Sequence, residues 1–237
     1  MSAERGNKRI RAYLGGQLVA DTTRPLLVWE SPRYPTYYLP DSDIRAQLVS
    51  SGASERSPSR GTADIYDVRV GEHHAAGAAR CYPEPAMDAM RGHVRLAWEA
   101  MDAWFEEDEQ VYFHPRDPYV RIDALRSTRH VVVELGGEVL ADTRAPVILY
   151  ETGHVPRHYL PATDVRLDLL VRSERVTHCP YKGSTAYFHA HVGDLEAPDV
   201  AWSYPAPFAE AMAIAGLICF PAERVDITVD GVSHKPD

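Results

Sequence analysis

The chain has 237 residues, 45% of them hydrophobic and 25% charged, the balance of an ordinary folded protein. Its net charge of −9 argues against nonspecific binding to nucleic acid or to an anionic membrane surface, and no apolar run approaches the roughly 18 residues of a membrane helix. Three cysteines, Cys81, Cys179 and Cys219, are too few for a disulfide framework, and the polar start from Met1 to Arg11 is unlike a signal peptide, so a cytoplasmic location is expected.

In chain order, Met1–Lys8 is expected to fray, as is the segment from His234 to Asp237. Leu14-Gly15-Gly16 marks a tight hairpin turn, and an apolar run then ends at Glu30. The Ser-rich stretch Ser50–Ser59 reads as a mobile loop. Trp98 to Glu109 is compatible with a helix, because Trp98, Met101 and Phe105 fall near helical spacing, so this half is expected to close differently from the other. His114-Pro115-Arg116-Asp117-Pro118 breaks regular structure, and residues 114–128 read as a linker. Beyond it, Val131–Leu135 and Glu138–Ala141 form a hairpin across Gly136-Gly137. Val147–Tyr150 is a buried strand ending at Glu151, and His158-Tyr159-Leu160 is extended ahead of Pro161. Thr163 or Asp164 caps a short helix over 165–170. Tyr187–Val192 alternates as a strand, Phe208–Ala213 suits a short helix, and Leu217–Phe220 and Val225–Val229 are core strands.

Residues 14–49 return at 135–170, shifted by 121 positions without a gap. Leu14-Gly15-Gly16, Ala20-Asp21-Thr22, Glu30, Tyr38-Leu39-Pro40 and Asp43 match Leu135-Gly136-Gly137, Ala141-Asp142-Thr143, Glu151, Tyr159-Leu160-Pro161 and Asp164. So long a period is that of a whole domain and not of a solenoid unit. The chain therefore divides into a first repeat at 9–113, the linker at 114–128 and a second repeat at 129–231. The fold class is mainly β with minor helices.

The order of motifs resembles the bacterial family called domain of unknown function 427, here in tandem. The motifs are Gly-Gly-x-x-x-Ala-Asp-Thr, a Glu closing an apolar strand, Tyr-Leu-Pro-x-x-Asp-Val, Cys179-Pro180-Tyr181-Lys182-Gly183 and Ala201-Trp202-Ser203-Tyr204-Pro205. The second repeat carries the full set; the first has Ser57-Pro58-Ser59-Arg60-Gly61 in place of the cysteine motif and Arg80 in place of Trp202. The resemblance implies a small β-rich fold of the Mss4-like, or β-tent, type. A nucleotidyltransferase label sometimes attached to the family fits poorly, since Gly136-Gly137 is followed by the single carboxylate Asp142 and not by a metal-binding pair.

The expected role is small-molecule binding, with catalysis open, in a pocket of the second repeat. Its residues would be Glu151, Tyr159, Asp164, Lys182, Trp202 and Tyr204, with Glu151, Lys182 and Cys179 as catalytic candidates. A carboxylate leaving a buried strand can serve as acid or base, a lysine beside Cys179 favours thiolate, and Trp202 with Tyr204 can wall an apolar ligand. The bland alternative is that Glu151 is a structural carboxylate accepting backbone or Arg hydrogen bonds, Lys182 pairs with Glu151 or Asp164, Cys179 and the aromatics pack, and the protein is a non-catalytic interaction scaffold. His178, Cys179, His189 and His191 lack the paired Cys-x-x-Cys spacing of a structural zinc site, so neither metal nor cofactor is expected. The acidic run Glu106–Glu109 with His114 and Asp117 is a third candidate region. The partner would be an unknown small molecule, and the state a monomer or homodimer.

Overall fold

A computed structural model describes residues 1–234; of the 234–237 segment expected to fray, only His234 lies among them. The chain separates into two compact units, one spanning Met1–Asp117 and one beginning at Pro118. Both are mostly β-strand.

Each unit pairs a seven-stranded with a four-stranded antiparallel sheet whose strands correspond one to one, and the second unit adds a two-stranded ladder of His178–Cys179 with Gly183–Ser184. In the first unit the larger sheet runs in the order Ser2–Arg5, Leu26–Trp29, Thr36–Pro40, His93–Leu96, His73–Pro85, Gly61–Val70, Gln47–Ser57. In the second it runs Ile122–Arg126, Val147–Glu151, Arg157–Leu160, Ile218–Cys219, Leu195–Ser203, Ala186–Val192, Leu170–Arg172. The hairpins Ile10–Leu14/Gln17–Thr22 and Val131–Leu135/Glu138–Thr143 open the smaller sheets. Their turns place Gly15 and Gly16 at φ of 58° and 71°, and Gly136 and Gly137 at 61° and 84°. Both turn positions are thus left-handed, the conformation that makes Gly-Gly the residue pair of choice. Even the bulge recurs, after Ala12 in one hairpin and after Val133 in the other.

Alternation along each strand divides the apolar residues between two faces. One face of the larger sheet joins the smaller sheet over a core of Ile10, Ala12, Val19, Leu39, Val94 and Trp104, matched by Val131, Val133, Leu140, Leu160, Ile218 and Ile227. The opposite face buries Leu26, Val28, Tyr38 and Tyr82 in the first repeat and Val147, Leu149, Tyr159 and Tyr204 in the second. Short 3-10 turns, Asp88–Met90 and Ala209–Ile214, supply Met90 and Ile214 to those clusters.

Several local expectations are corrected. Ser2–Arg5 is not frayed; it pairs with Leu26–Trp29 and satisfies backbone groups that would otherwise form an open edge. Ser50–Ser59 lies largely within the strand Gln47–Ser57, whose polarity reflects an exposed sheet edge. Trp98–Glu109 is not a helix: a turn at Trp98–Ala100 leads into Ala103–Glu106, where Trp104 and Glu106 are buried at the strand period of two. Ala103–Glu106 pairs with Ile10–Leu14 just as Asp226–Val229 pairs with Val131–Glu134, so the repeats close in the same way after all. The segment read as a linker holds the strand Ile122–Arg126, an edge of the second repeat. In place of a helix at 165–170 there are turns at Ala162–Asp164 and Leu167–Leu169.

Candidate functional site

In the second repeat, the carboxylate ending Val147–Glu151 meets the cation of the cysteine motif. Lys182 Nζ donates to Glu151 Oε2, with both side chains 10% exposed. Gly183, at φ 98°, turns the chain so that Cys179 pairs back onto it. Tyr159, Cys219 and Trp202 are register neighbours across three strands. Trp202 Nε1 donates to Tyr159 Oη at 3.3 Å, and the Arg157 guanidinium, held by Glu223, lies 5.8 Å from the Trp202 ring centre. Burial drives the phenols of Tyr159 and Tyr204 and the Cys219 thiol upward, so all three stay protonated at neutral pH. Cys179 packs at the margin of this cluster. Glu151, Lys182, Tyr159, Trp202, Tyr204 and Cys179 are thus gathered in one region, where cation and carboxylate, and indole and phenol, satisfy one another. Asp164 stands apart from that region. It accepts from Thr143 Oγ1 at 2.6 Å, as Asp43 accepts from Thr22 at 2.7 Å, tying the hairpin to the following turn.

The same backbone carries different chemistry in the first repeat. Tyr38, Arg95 and Arg80 occupy the register positions of Tyr159, Cys219 and Trp202. Ser57 and Gly61 pair as Cys179 and Gly183 do, and Gly61 shares the φ of 98°. The Glu30 carboxylate accepts from Tyr38 Oη at 2.8 Å, from Arg60 Nη1 at 2.6 Å and from Arg95 Nε at 2.8 Å, with Arg95 Nη2 at 3.4 Å. Where Glu151 has one cation, Glu30 has two. Burial, reinforced by the Glu30 charge, raises the Tyr38 phenol. Burial opposes the charge on Arg95, but the Glu30 pairing outweighs it and strengthens the guanidinium. Arg80 is satisfied separately by Glu55 at 2.9 Å.

A cavity of about 330 Å³ opens at this cluster. Glu30, Arg60 and Arg95 line it, with the stacked pair Trp98–Trp104, whose ring centres are 4.8 Å apart, and Tyr37 tilted against both. Tyr34 and His114, stacked at 3.9 Å, and Phe113 complete the aromatic lining. Burial lowers the His114 pKa, so its ring is neutral at pH 7. A larger cleft of about 440 Å³ beside Ala3–Gly6 is lined by Glu4, Arg5, Thr23, Arg24 and His93 with Pro25, Leu26 and Pro40; its Arg24 is engaged by Asp43, and its lining includes none of the stacked aromatic pairs of the smaller cavity.

The other candidates disperse. Glu106 is buried and accepts from Tyr37 Oη at 2.5 Å and Lys8 Nζ at 2.6 Å, while Asp108 pairs with Arg11 and Glu109 with Arg116. Asp117 accepts from the Trp29 indole at 2.8 Å. His178 meets Ser184, and His189 accepts from the Asp199 backbone N–H. Among the described residues no three His, Cys, Asp or Glu side chains gather closely enough to hold a metal ion. Sequence reasoning missed Arg95, Tyr34 and Trp98. The alternation His93-Val94-Arg95-Leu96 announces a strand, but not that Arg95 lies beside Tyr38.

Fold and site together define a duplicated β protein in which one repeat encloses a charged, aromatic-lined cavity and the other neutralises the same positions internally. The chain belongs to the family described as domain of unknown function (DUF427), whose model matches residues 2–107 and again 123–231. No curated protein matches it.

Proposed function

We propose that the protein binds a small molecule, and that the site is the first-repeat cavity and not the second-repeat pocket expected from the motifs. The observation that carries this reading is the Glu30 carboxylate, held by Tyr38, Arg60 and Arg95, on the wall of a cavity of about 330 Å³. That volume is at the small end of ligand sites, and a few convergent polar groups set among aromatic rings are the usual makings of one. We read each half as a β-tent of the Mss4-like type, supported by the seven- and four-stranded sheets enclosing one core. Three unpaired cysteines fit a reducing, cytoplasmic setting.

An interaction-scaffold reading draws on the second repeat, where Lys182 and Glu151, and Trp202 and Tyr159, satisfy each other. Native mass spectrometry of the full chain purified from its own cells, followed by NMR screening of a small-molecule library, separates the two. Ligand-induced shifts centred on the Trp98 indole support the cavity. Shifts centred on Trp202, or none at any indole, overturn it.

A further inference from the structure

We propose that the first-repeat cavity takes a small aromatic monocarboxylate, its carboxylate held by Arg60 and Arg95 and its ring against Trp98 and Tyr34, a proposal that rests on reading the cavity as a ligand site. Hydrogen-bond supply and demand at Glu30 motivate it. A carboxylate offers about four lone-pair sites, and Glu30 already receives Tyr38 and Arg95 Nε on Oε1 and Arg60 and Arg95 Nη2 on Oε2. Its capacity is filled. The guanidiniums, with five donors each, are not: Arg60 Nε is buried without a partner, and the two side chains remain 21% and 23% exposed. Their remaining donors call for a second, external acceptor with the flat two-oxygen geometry that an arginine fork matches.

Charge sets the valence. Arg60 and Arg95 against Glu30 leave one positive charge, because Arg80 is balanced by Glu55 and His114 is neutral. A single negative charge answers that local surplus at the Arg60–Arg95 end; a second would be uncompensated there and would add to the repulsion from Glu99, whose exposed carboxylate already brings the lining as a whole to neutrality. The surplus is particular to this repeat, because Cys219 stands where Arg95 does and Lys182 meets Glu151 one to one. The lining sets the shape. The parallel Trp98–Trp104 and Tyr34–His114 pairs present flat faces suited to a ring, and about 330 Å³ admits one or two rings.

Calorimetry and NMR on the full chain with benzoate, benzamide, acetate and inorganic phosphate test the assignment. Benzoate should bind and shift the Trp98 indole, while benzamide and acetate should each bind at least about tenfold more weakly, a difference of ~1.4 kcal/mol. Arg60→Gln and Arg95→Gln should each weaken benzoate about tenfold or more. Glu30→Gln, which removes the internal competitor, should tighten it, an outcome that a purely structural role for the cluster would not produce. Circular dichroism melting verifies that each variant folds, and Arg60→Lys, which keeps the charge without the fork, replaces any that does not. Benzamide binding as well as benzoate overturns the carboxylate and leaves the ligand site standing. Phosphate binding as tightly as benzoate overturns the aromatic monoanion. If neither these probes nor a general fragment library shifts the Trp98 indole, the ligand-site reading falls as well.

Discussion

Replacing Lys182 by methionine isolates the energetic difference between the repeats. In the second repeat Lys182 is the ion-pair partner of Glu151, and both side chains are 10% exposed. Removing one member of a buried pair leaves the other charge desolvated, which typically costs 3–5 kcal/mol, whereas replacing both members with apolar groups is near neutral. Slight residual exposure lowers the expectation to about 3 kcal/mol for Lys182→Met and to about 1 kcal/mol for Lys182→Met/Glu151→Leu. In the first repeat Glu30 keeps Arg95 and Tyr38 when Arg60 is lost, so Arg60→Met should cost only about 1 kcal/mol. Urea unfolding with linear extrapolation measures each value, and a loss of about 3 kcal/mol from a domain this size lowers the melting temperature by roughly 10 °C. If Lys182→Met costs no more than Arg60→Met, or no more than the double variant, the buried-pair reasoning is refuted.

Three further outcomes are expected. His158 is held down to about 4 by burial, then by His234 and Arg129, from 6.5 when unfolded. The neutral ring therefore contributes fully above pH 6.5, and stability is lost as pH falls from there towards 4. The loss is about 2–3 kcal/mol for this buried ring; a His158→Gln variant with an unchanged acid limb in a pH-resolved unfolding series would refute this. Gly61→Ala should destabilise more than Gly183→Ala, although both sit at φ 98°, because a Cβ at Gly61 would lie 2.7 Å from the Glu84 carbonyl oxygen and one at Gly183 3.3 Å from that of Ala206. Costs of at least about 1 kcal/mol each are expected by thermal melting, and the reverse order would contradict the geometry. Cys219, fully enclosed and with its thiol pushed upward by burial, should resist iodoacetamide at pH 8 in the folded protein while Cys179 reacts, as peptide mass spectrometry would read; early labelling of Cys219 would show that the second-repeat cluster opens.

The duplication and the β class were legible because they are written in local chemistry. Gly-Gly demands a left-handed turn wherever it opens a hairpin, and an apolar run ended by a glutamate is visible without knowing what it pairs with. Errors came where backbone partners decide. Trp98, Met101 and Phe105 suggested a helix, but Ala103–Glu106 is drawn into a strand by the open edge of Ile10–Leu14. Ser50–Ser59 has a loop's composition because one side of an edge strand meets only water. The site was half legible. The carboxylates Glu30 and Glu151 and the cations Arg60 and Lys182 stood out in the motifs, with Glu151 or Asp164 as the partner expected for Lys182, whereas the Glu30–Arg60 pair and the second cation on Glu30 depend on how the strands come together. Arg80 counted against the first repeat for lacking an indole, yet the indole of its cavity comes from Trp98, outside the repeated motif.

The shared closing strand also bears on how such a chain avoids confusing its own halves while folding. Two nearly superposable hairpins in one polypeptide invite exchange, each accepting the other's last strand, a known failure of tandem domains. Across the first hairpin Trp104 stands opposite Ala12, and across the second Ile227 stands opposite Val133. An exchanged pairing would set Ile227 against Ala12 and leave a void, and press Trp104 against Val133 in space shaped for a smaller residue. Both errors are costly in a close-packed core. The bulk of one tryptophan thus acts as an address label, directing each closing strand to its own hairpin.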